Sequence, residues 1–178
     1  MTTRRPTRLH HTAYVTKDLR ATRAFYEDLI GLPLVATWCE SDELFGKVRT
    51  YCHCFFGLED GSALAFFQFA DPSDQAQFGP PIPESPFHHI ALHVDHETQD
   101  RVARRIADAG YREPQTFVLE HGYCRSLYIA DPNGMLLELT ADAPAAIATA
   151  VSDANRAKAH AELERWLGGD HTSNNTYR

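Results

Sequence analysis

Short alternating runs of apolar and polar residues are interleaved with stretches of helical spacing, and the same order of patterns occurs twice. Residues 9–16 alternate as a strand does. Asp18 is placed to cap a helix running to about Ile30, and Gly31 suits its C-terminal end. Thr22, Phe25, Tyr26, Leu29 and Ile30 recur at helical spacing and make its buried stripe. Pro33 closes this element, and a strand follows near Leu34–Trp38. Two more strands, Tyr51–Leu58 and Ala63–Phe69, flank Glu59-Asp60-Gly61, where Asp-Gly between apolar runs signals a hairpin. The first unit reads β-α-β-β-β.

That order then repeats. Phe87–Val94 reads as a strand, and a helix follows from about Glu97 to Ala109, with Val102, Ile106 and Ala109 as its buried face and Gly110 at its end. A strand near Thr116–Leu119 leads to Glu120-His121-Gly122. Strands Arg125–Ala130 and Met135–Thr140 come next, joined by the turn Asp131-Pro132-Asn133-Gly134. His10-His11-Thr-Ala-Tyr-Val is nearly repeated 78 positions later as His88-His89-Ile-Ala-Leu-His-Val, so a histidine pair opens each copy. The five prolines of residues 71–86 predict a linker with neither helix nor sheet. Residues 145–167, anchored by Ile147, Val151, Leu163, Trp166 and Leu167, predict a C-terminal helix, and 168–178 a frayed tail. The expected fold is α+β: βαβββ modules at 8–70 and 87–142, the linker 71–86 between them, and a helix with a flexible tail at 143–178.

The 178 residues, 43% of them hydrophobic, suffice for one domain or two halves sharing a core. A net charge of −7 argues against nucleic acid and anionic membrane surfaces as partners. No apolar run reaches the roughly 18–20 residues that span a bilayer. The basic N-terminus lacks the apolar core of a secretory signal, so the expected location is the cytoplasm. Of the four cysteines, Cys52 and Cys54 would share one face of a strand with His53 on the other. Structural zinc wants a wider spacing and a second ligand pair, and a cytosolic chain rarely carries a disulfide framework. Cys39, Cys52, Cys54 and Cys124 therefore read as small reduced residues.

Strand alternation then selects candidate ligands. His11, Ala13 and Val15 share one face, opposite His10 and Tyr14; His89, Ala91 and His93 share another, opposite His88. Glu138 lies with Leu136 and Thr140, flanked by Leu137 and Leu139, an unfavourable place for an acid unless something cationic faces it. If both units fold around a common cleft, His11, His89 and Glu138 converge as two imidazoles and one carboxylate, the donor set of non-haem iron(II) sites that also suits manganese or nickel. The plainer alternatives are satisfied strand histidines and a Glu138 paired with Arg125 on a wet face.

With these motifs the chain resembles the vicinal oxygen chelate superfamily, which includes glyoxalase I, fosfomycin-resistance enzymes, bleomycin-binding proteins and extradiol ring-cleaving dioxygenases. The resemblance rests on His11-Thr-Ala-Tyr-Val-Thr-Lys-Asp18, Phe25-Tyr26 through Gly31-Leu32, His89-Ile-Ala-Leu, and Tyr128-Ile-Ala-Asp131-Pro-Asn-Gly134-Met-Leu-Leu-Glu138, and covers about residues 9–141. It implies a curved mixed sheet around a metal-binding cleft. It also implies His11, His89 and Glu138 as ligands; by strand parity His10 and His88 point away from the cleft and are expected to be dispensable for metal. The glutamate that glyoxalase I adds late in its first module has no counterpart in Leu64–Phe69, where Gln68 could reach the metal as a fourth ligand or Phe66 could occupy that slot, and both would line the substrate cavity. His121-Gly122, although two residues nearer the glutamate than usual, and Tyr128, ten residues before it, resemble the extradiol pattern. The implied chemistry is cleavage of a catechol-like ring by O2 at Fe(II), with Mn, Ni or Zn as other metals. Tyr128 would bind a substrate oxygen, His121 would act as acid/base, and His93 would be a further cavity residue. A glyoxalase-like or fosfomycin-resistance-like isomerase, lyase or thiol transferase is the rival enzyme, and a metal-free binder the non-enzymatic one. Members of this length often form homodimers, some by exchanging modules.

Overall fold

The computed structural model describes residues 5–83 and 85–177. They divide into two compact units. The first comprises the residues through His88 together with Ala130–Met135, and the second comprises His89–Ile129 and the residues from Leu136 onward.

The first unit holds β1 (His11–Val15), α1 (Leu19–Arg23) continued by a π-helical stretch (Ala24–Ile30), β2 (Leu34–Leu44), β3 (Lys47–Gly57), β4 (Ala63–Phe69) and α2 (Pro72–Phe78). Its four-stranded sheet has the order β1-β4-β3-β2, with β1 parallel to β4 and the other pairs antiparallel. Asp18 caps α1 by accepting from the Arg20 and Ala21 amides. Gly31 closes the π-helical stretch in the left-handed region, and its N–H donates to the Tyr26 carbonyl. Phe25, Tyr26 and Ile30 are buried together with Leu64, Phe66 and Phe56, and this is the core of the unit. Tyr26 lies 4.8 Å from Phe66 and 5.4 Å from Phe56, ring centre to ring centre.

Two expectations change here. The strand expected near Leu34–Trp38 extends to Leu44, and β3 begins at Lys47, so the pair is a long hairpin turned at Phe45-Gly46. Both turn residues have positive φ, 53° and 77°, the conformation of tight hairpin turns. Phe-Gly lacks the usual Asn or Asp, and the polar run Glu40–Glu43 lies on an edge strand where alternation carries no signal. The proline-rich segment does form a helix. Asp71 accepts from the Ser73 and Asp74 amides, and Pro72 occupies the first turn, where its missing N–H costs nothing. Asp74, 2% exposed, anchors α2 by pairing with Arg49 at 3.1 Å.

The second unit holds β5 (His89–His93), α3 (His96–Asp108), β6 (Thr116–Glu120), β7 (Cys124–Ala130), β8 (Leu136–Asp142) and α4 (Ala145–Leu167). Its sheet order, β5-β8-β7-β6, repeats the first topology. Val102 and Ile106 of α3 are buried, as are Leu137, Leu139, Leu127 and Ile129 of the sheet. Ala109 is exposed, and Gln99 takes the buried place instead, donating to the Arg125 and Leu139 carbonyls. Beyond α4 the chain folds back on the helix end. Arg165 donates to the Asp170 and Thr172 carbonyls, and Asn174 donates to Glu162. A side chain at Gly122 would run into the Tyr177 carbonyl, and φ there is +83°, so this position requires glycine.

Candidate metal and acid/base site

The second unit builds most of the site on one face of its sheet. In the parallel β5–β8 register, His89 stands opposite Leu136, Ala91 opposite Glu138 and His93 opposite Thr140. Glu138 is 6% exposed, and its Oε2 lies 3.0 Å from His89 Nε2. Thr140 Oγ1 donates to Glu138 Oε1 at 2.8 Å, and the Ser126 hydroxyl lies 3.4 Å from Thr140 Oγ1. Burial pushes the Glu138 carboxyl up. The nearby hydroxyls of Ser126, Thr140 and Tyr128, with the charge of His89, outweigh it and hold the group below the usual range. The alternative pairing with Arg125 does not occur: Arg125 is engaged by Asp100 at 2.9 Å, Glu120 at 3.5 Å and Gln99.

Tyr128 continues the chain of contacts. Its hydroxyl lies 3.3 Å from His121 Nε2, its ring stacks on Phe117 at 4.8 Å, and His89 meets it edge-on at 6.0 Å. Burial, followed by the charge of Glu138, raises the phenol above its ordinary value, so it remains a proton donor at neutral pH. His121 is held in the β6–β7 turn by its N–H, which donates to the Cys124 carbonyl. The structure thus gathers His89, Glu138, Tyr128 and His121. His93 shares their face but lies at the far end of β5, 72% exposed and 3.6 Å from Asp142.

His11 opens β1 in the first unit, on the face that also carries Ala13, Ala65, Phe67, His53 and Phe55 in the strand register. Its ring meets Phe55 at 5.7 Å and His53 at 6.3 Å. His53, on the face of β3 opposite the cysteines, stacks on Phe67 at 3.6 Å. Its Nε2 is buried with no hydrogen-bond partner among the described residues. The signal that finds it is parity with the neighbouring strand, which a single strand does not contain.

Three placements differ from expectation. Phe66 is fully buried against Tyr26 and Tyr14, because even-numbered residues of β4 face the helix rather than His11. Gln68 shares that parity, and its side-chain carbonyl accepts from the Leu19 amide at 2.8 Å, so it serves the start of α1. His10 precedes β1 and escapes its alternation; its Nδ1 lies 2.7 Å from His11 Nδ1 instead of pointing away. Among the described residues, no group of three or more His, Cys, Asp or Glu side chains is gathered closely enough to hold a metal ion.

The turn Asp131–Gly134 belongs to the first unit, and there its acid has a structural role. Asp131 accepts from the Asn133 and Met135 amides at 2.8 Å and from the hydroxyl of the fully buried Tyr26 at 3.0 Å. Asn133 accepts from Thr16 Oγ1 at 2.8 Å.

Comparison with known proteins agrees with this architecture. A protein of Bacillus subtilis (strain 168), the uncharacterized YwbC, is 26% identical over 131 residues, which is 74% of this chain and 94% of that one. The fosfomycin resistance protein FosX of Listeria monocytogenes superposes with a TM-score of 0.57 at 22% identity, over 81% of this chain and 99% of its own. A mutant of that protein, complexed with Mn(II) and 1S,2S-dihydroxypropylphosphonic acid, gives 0.55 at 22% identity, over 78% and 95%. At these identities the likeness establishes the fold. The sequence profile that matches residues 8–139, about three-quarters of the chain, completes the assignment: the protein belongs to the Glyoxalase/Bleomycin resistance protein/Dioxygenase superfamily.

Proposed function

We propose that the chain is a metal-dependent enzyme acting on a small molecule with two vicinal oxygens, and within that class an extradiol-type dioxygenase of a catechol-like substrate. The observation that carries this reading is the cluster in which His89 pairs with Glu138 and meets the ring of Tyr128, whose hydroxyl reaches His121. His11, His89 and Glu138 are the ligands we assign. The donor set fits a divalent ion, foremost Fe(II), with Mn, Ni or Zn as alternatives. A buried carboxylate kept ionised and facing an imidazole is what such a cation requires. When bound, the ion lowers the pKa of the substrate oxygens and, as iron, lets electrons pass from the ring to O2.

This chain's own residues do the rest. The Tyr128 hydroxyl donates to a substrate oxygen, and stacking on Phe117 fixes its direction. His121 Nε2 accepts a proton from the reacting groups and returns it, within reach of the Tyr128 hydroxyl. We read the working form as a cytoplasmic homodimer; its four free thiols suit a reducing compartment.

The second reading is a fosfomycin-resistance-like reaction on a phosphonate, favoured by the fold shared with FosX and by the Mn(II) and dihydroxypropylphosphonic acid bound in that relative. Against it, Arg125, three residues before Tyr128, is already engaged by Asp100 and Glu120. Metal analysis of protein purified with and without oxygen, followed by O2 uptake on a panel of catechols, tests the proposal. Bound iron with oxygen consumption supports it. Manganese with modification of fosfomycin and no oxygen uptake replaces it with the second reading. Ligand binding unchanged in metal-free His11→Ala would make the protein a sequestering binder. Analytical ultracentrifugation checks the dimer, which a single species of 20.0 kDa would refute.

A further inference from the structure

The cysteines of the β2–β3 hairpin remain outside the proposed chemistry, and their placement is not that of scattered core residues. Counting back from the two-residue turn at Phe45-Gly46, cross-strand pairs alternate between hydrogen-bonded and non-hydrogen-bonded. Ser41/Thr50, Cys39/Cys52 and Thr37/Cys54 all fall on the non-hydrogen-bonded positions, where opposed Cα atoms approach to about 4.5 Å and side chains are closest. The contacts agree: Ser41 Oγ lies 2.6 Å from Thr50 Oγ1, Cys39 Sγ 3.8 Å from Cys52 Sγ, and Thr37 Oγ1 3.6 Å from Cys54 Sγ. Cys54 Sγ is a further 3.9 Å from Cys52 Sγ. A disulfide requires Cα atoms roughly 4.4–6.8 Å apart, so the Cys39/Cys52 position lies within its range. Cys52 and Cys54, two apart on one extended strand, stand near the upper limit, because a strand rises about 3.4 Å per residue.

Exposure orders the three thiols. Cys39 is exposed on the edge strand, Cys52 is half-buried and Cys54 is buried. Burial, with hydrogen bonding to Cys39, pushes the Cys52 thiol up to about 12, so Cys52 is a poor first nucleophile toward a dissolved oxidant.

We propose that Cys39 and Cys52 form a peroxide-oxidisable dithiol, with Cys39 the reacting thiol and Cys52 the resolving one. The Cys39 thiolate attacks one oxygen of a hydroperoxide, the O–O bond breaks, and Cys39 becomes a sulfenic acid as water or an alcohol leaves. Cys52 Sγ then attacks the Cys39 sulfur. The S–S bond forms as the S–O bond breaks, and the departing hydroxide leaves as water with the Cys52 proton. Two thiols are oxidised by two electrons, and one peroxide is reduced. The product ties the edge strand to β3 directly behind His53, whose ring lies on the opposite face.

The test uses the full reduced chain, treated with hydrogen peroxide, unfolded in N-ethylmaleimide and digested without reductant for mass spectrometry. The expected product is a peptide pair joined through Cys39 and Cys52, with Cys54 and Cys124 alkylated. Cys54→Ser should leave the bridge intact. Cys52→Ser should leave Cys39 as a sulfenic acid that dimedone captures, and Cys39→Ser should abolish both products. A Cys52–Cys54 bridge, bridges only between chains, or over-oxidised Cys39 with no bridge in the native sequence would each overturn the proposal.

Discussion

The contact between Asp131 and Tyr26 makes a quantitative prediction about a motif that reads in sequence as a simple turn. Tyr26 is fully buried, and its hydroxyl donates to Asp131 Oδ2 at 3.0 Å. Burial and then the Asp131 charge push the phenol pKa well up, so it is a donor at any accessible pH. Asp131→Ala removes the acceptor and leaves that hydroxyl buried and unpaired, a cost of about 1–3 kcal/mol, and the turn also loses its bonds to the Asn133 and Met135 amides. The expected loss is about 3 kcal/mol. Tyr26→Phe removes the donor but leaves Asp131 bonded to the turn, and should cost about 1 kcal/mol. In the double variant no hydroxyl is orphaned, so the two losses should fall short of additivity by about 1.5 kcal/mol. Urea denaturation followed by circular dichroism measures this, provided the slope m is unchanged. Additivity to within about 0.5 kcal/mol would refute the argument, because the orphaned hydroxyl is the only source of coupling it invokes.

Other outcomes follow from the same geometry. Glu138→Gln should weaken Mn(II) binding, measured by calorimetry, by more than about 100-fold, whereas Thr140→Val, which removes only a support of that carboxylate, should cost about tenfold. Asp74→Ala removes the charge partner of the buried Arg49 guanidinium and should cost about 3 kcal/mol in urea; a loss below about 1 kcal/mol would mean that its bonds to the Leu44 and Lys47 carbonyls suffice. Asp71 is held below the ordinary carboxylate value near 3.8, by the Ser73 hydroxyl first and Lys47 next. Its contribution is therefore complete above that pH and is lost as pH falls below it, so Asp71→Asn should flatten the acid limb of the urea midpoint between about pH 4 and pH 2. His53→Phe keeps the stack on Phe67 and removes a buried unpaired nitrogen, and should raise the thermal midpoint of the ligand-free chain. An unchanged or lower midpoint would show that the nitrogen is already satisfied.

What sequence alone determined is whatever depends on neighbours along the chain. Strand alternation separated Glu138 from Leu137 and Leu139, Asp18 and Gly31 bounded the first helical element, and the doubled His-His strands revealed the repeated topology. It also determined that residues 145–167 form a helix, because their composition favours one locally. Only tertiary structure decided which way β4 faces. Its residues are apolar at nearly every position, so alternation had nothing to mark, and the packing of Tyr26 selected Phe66 for the core and left Phe67 with His11 and His53. It likewise decided that Gln68 serves a helix terminus, that Pro72 begins a helix, and that Cys39 meets Cys52. Each of these rests on a partner distant in sequence or on a turn without the usual residues, and physical forces across such separations leave no periodic trace in the chain.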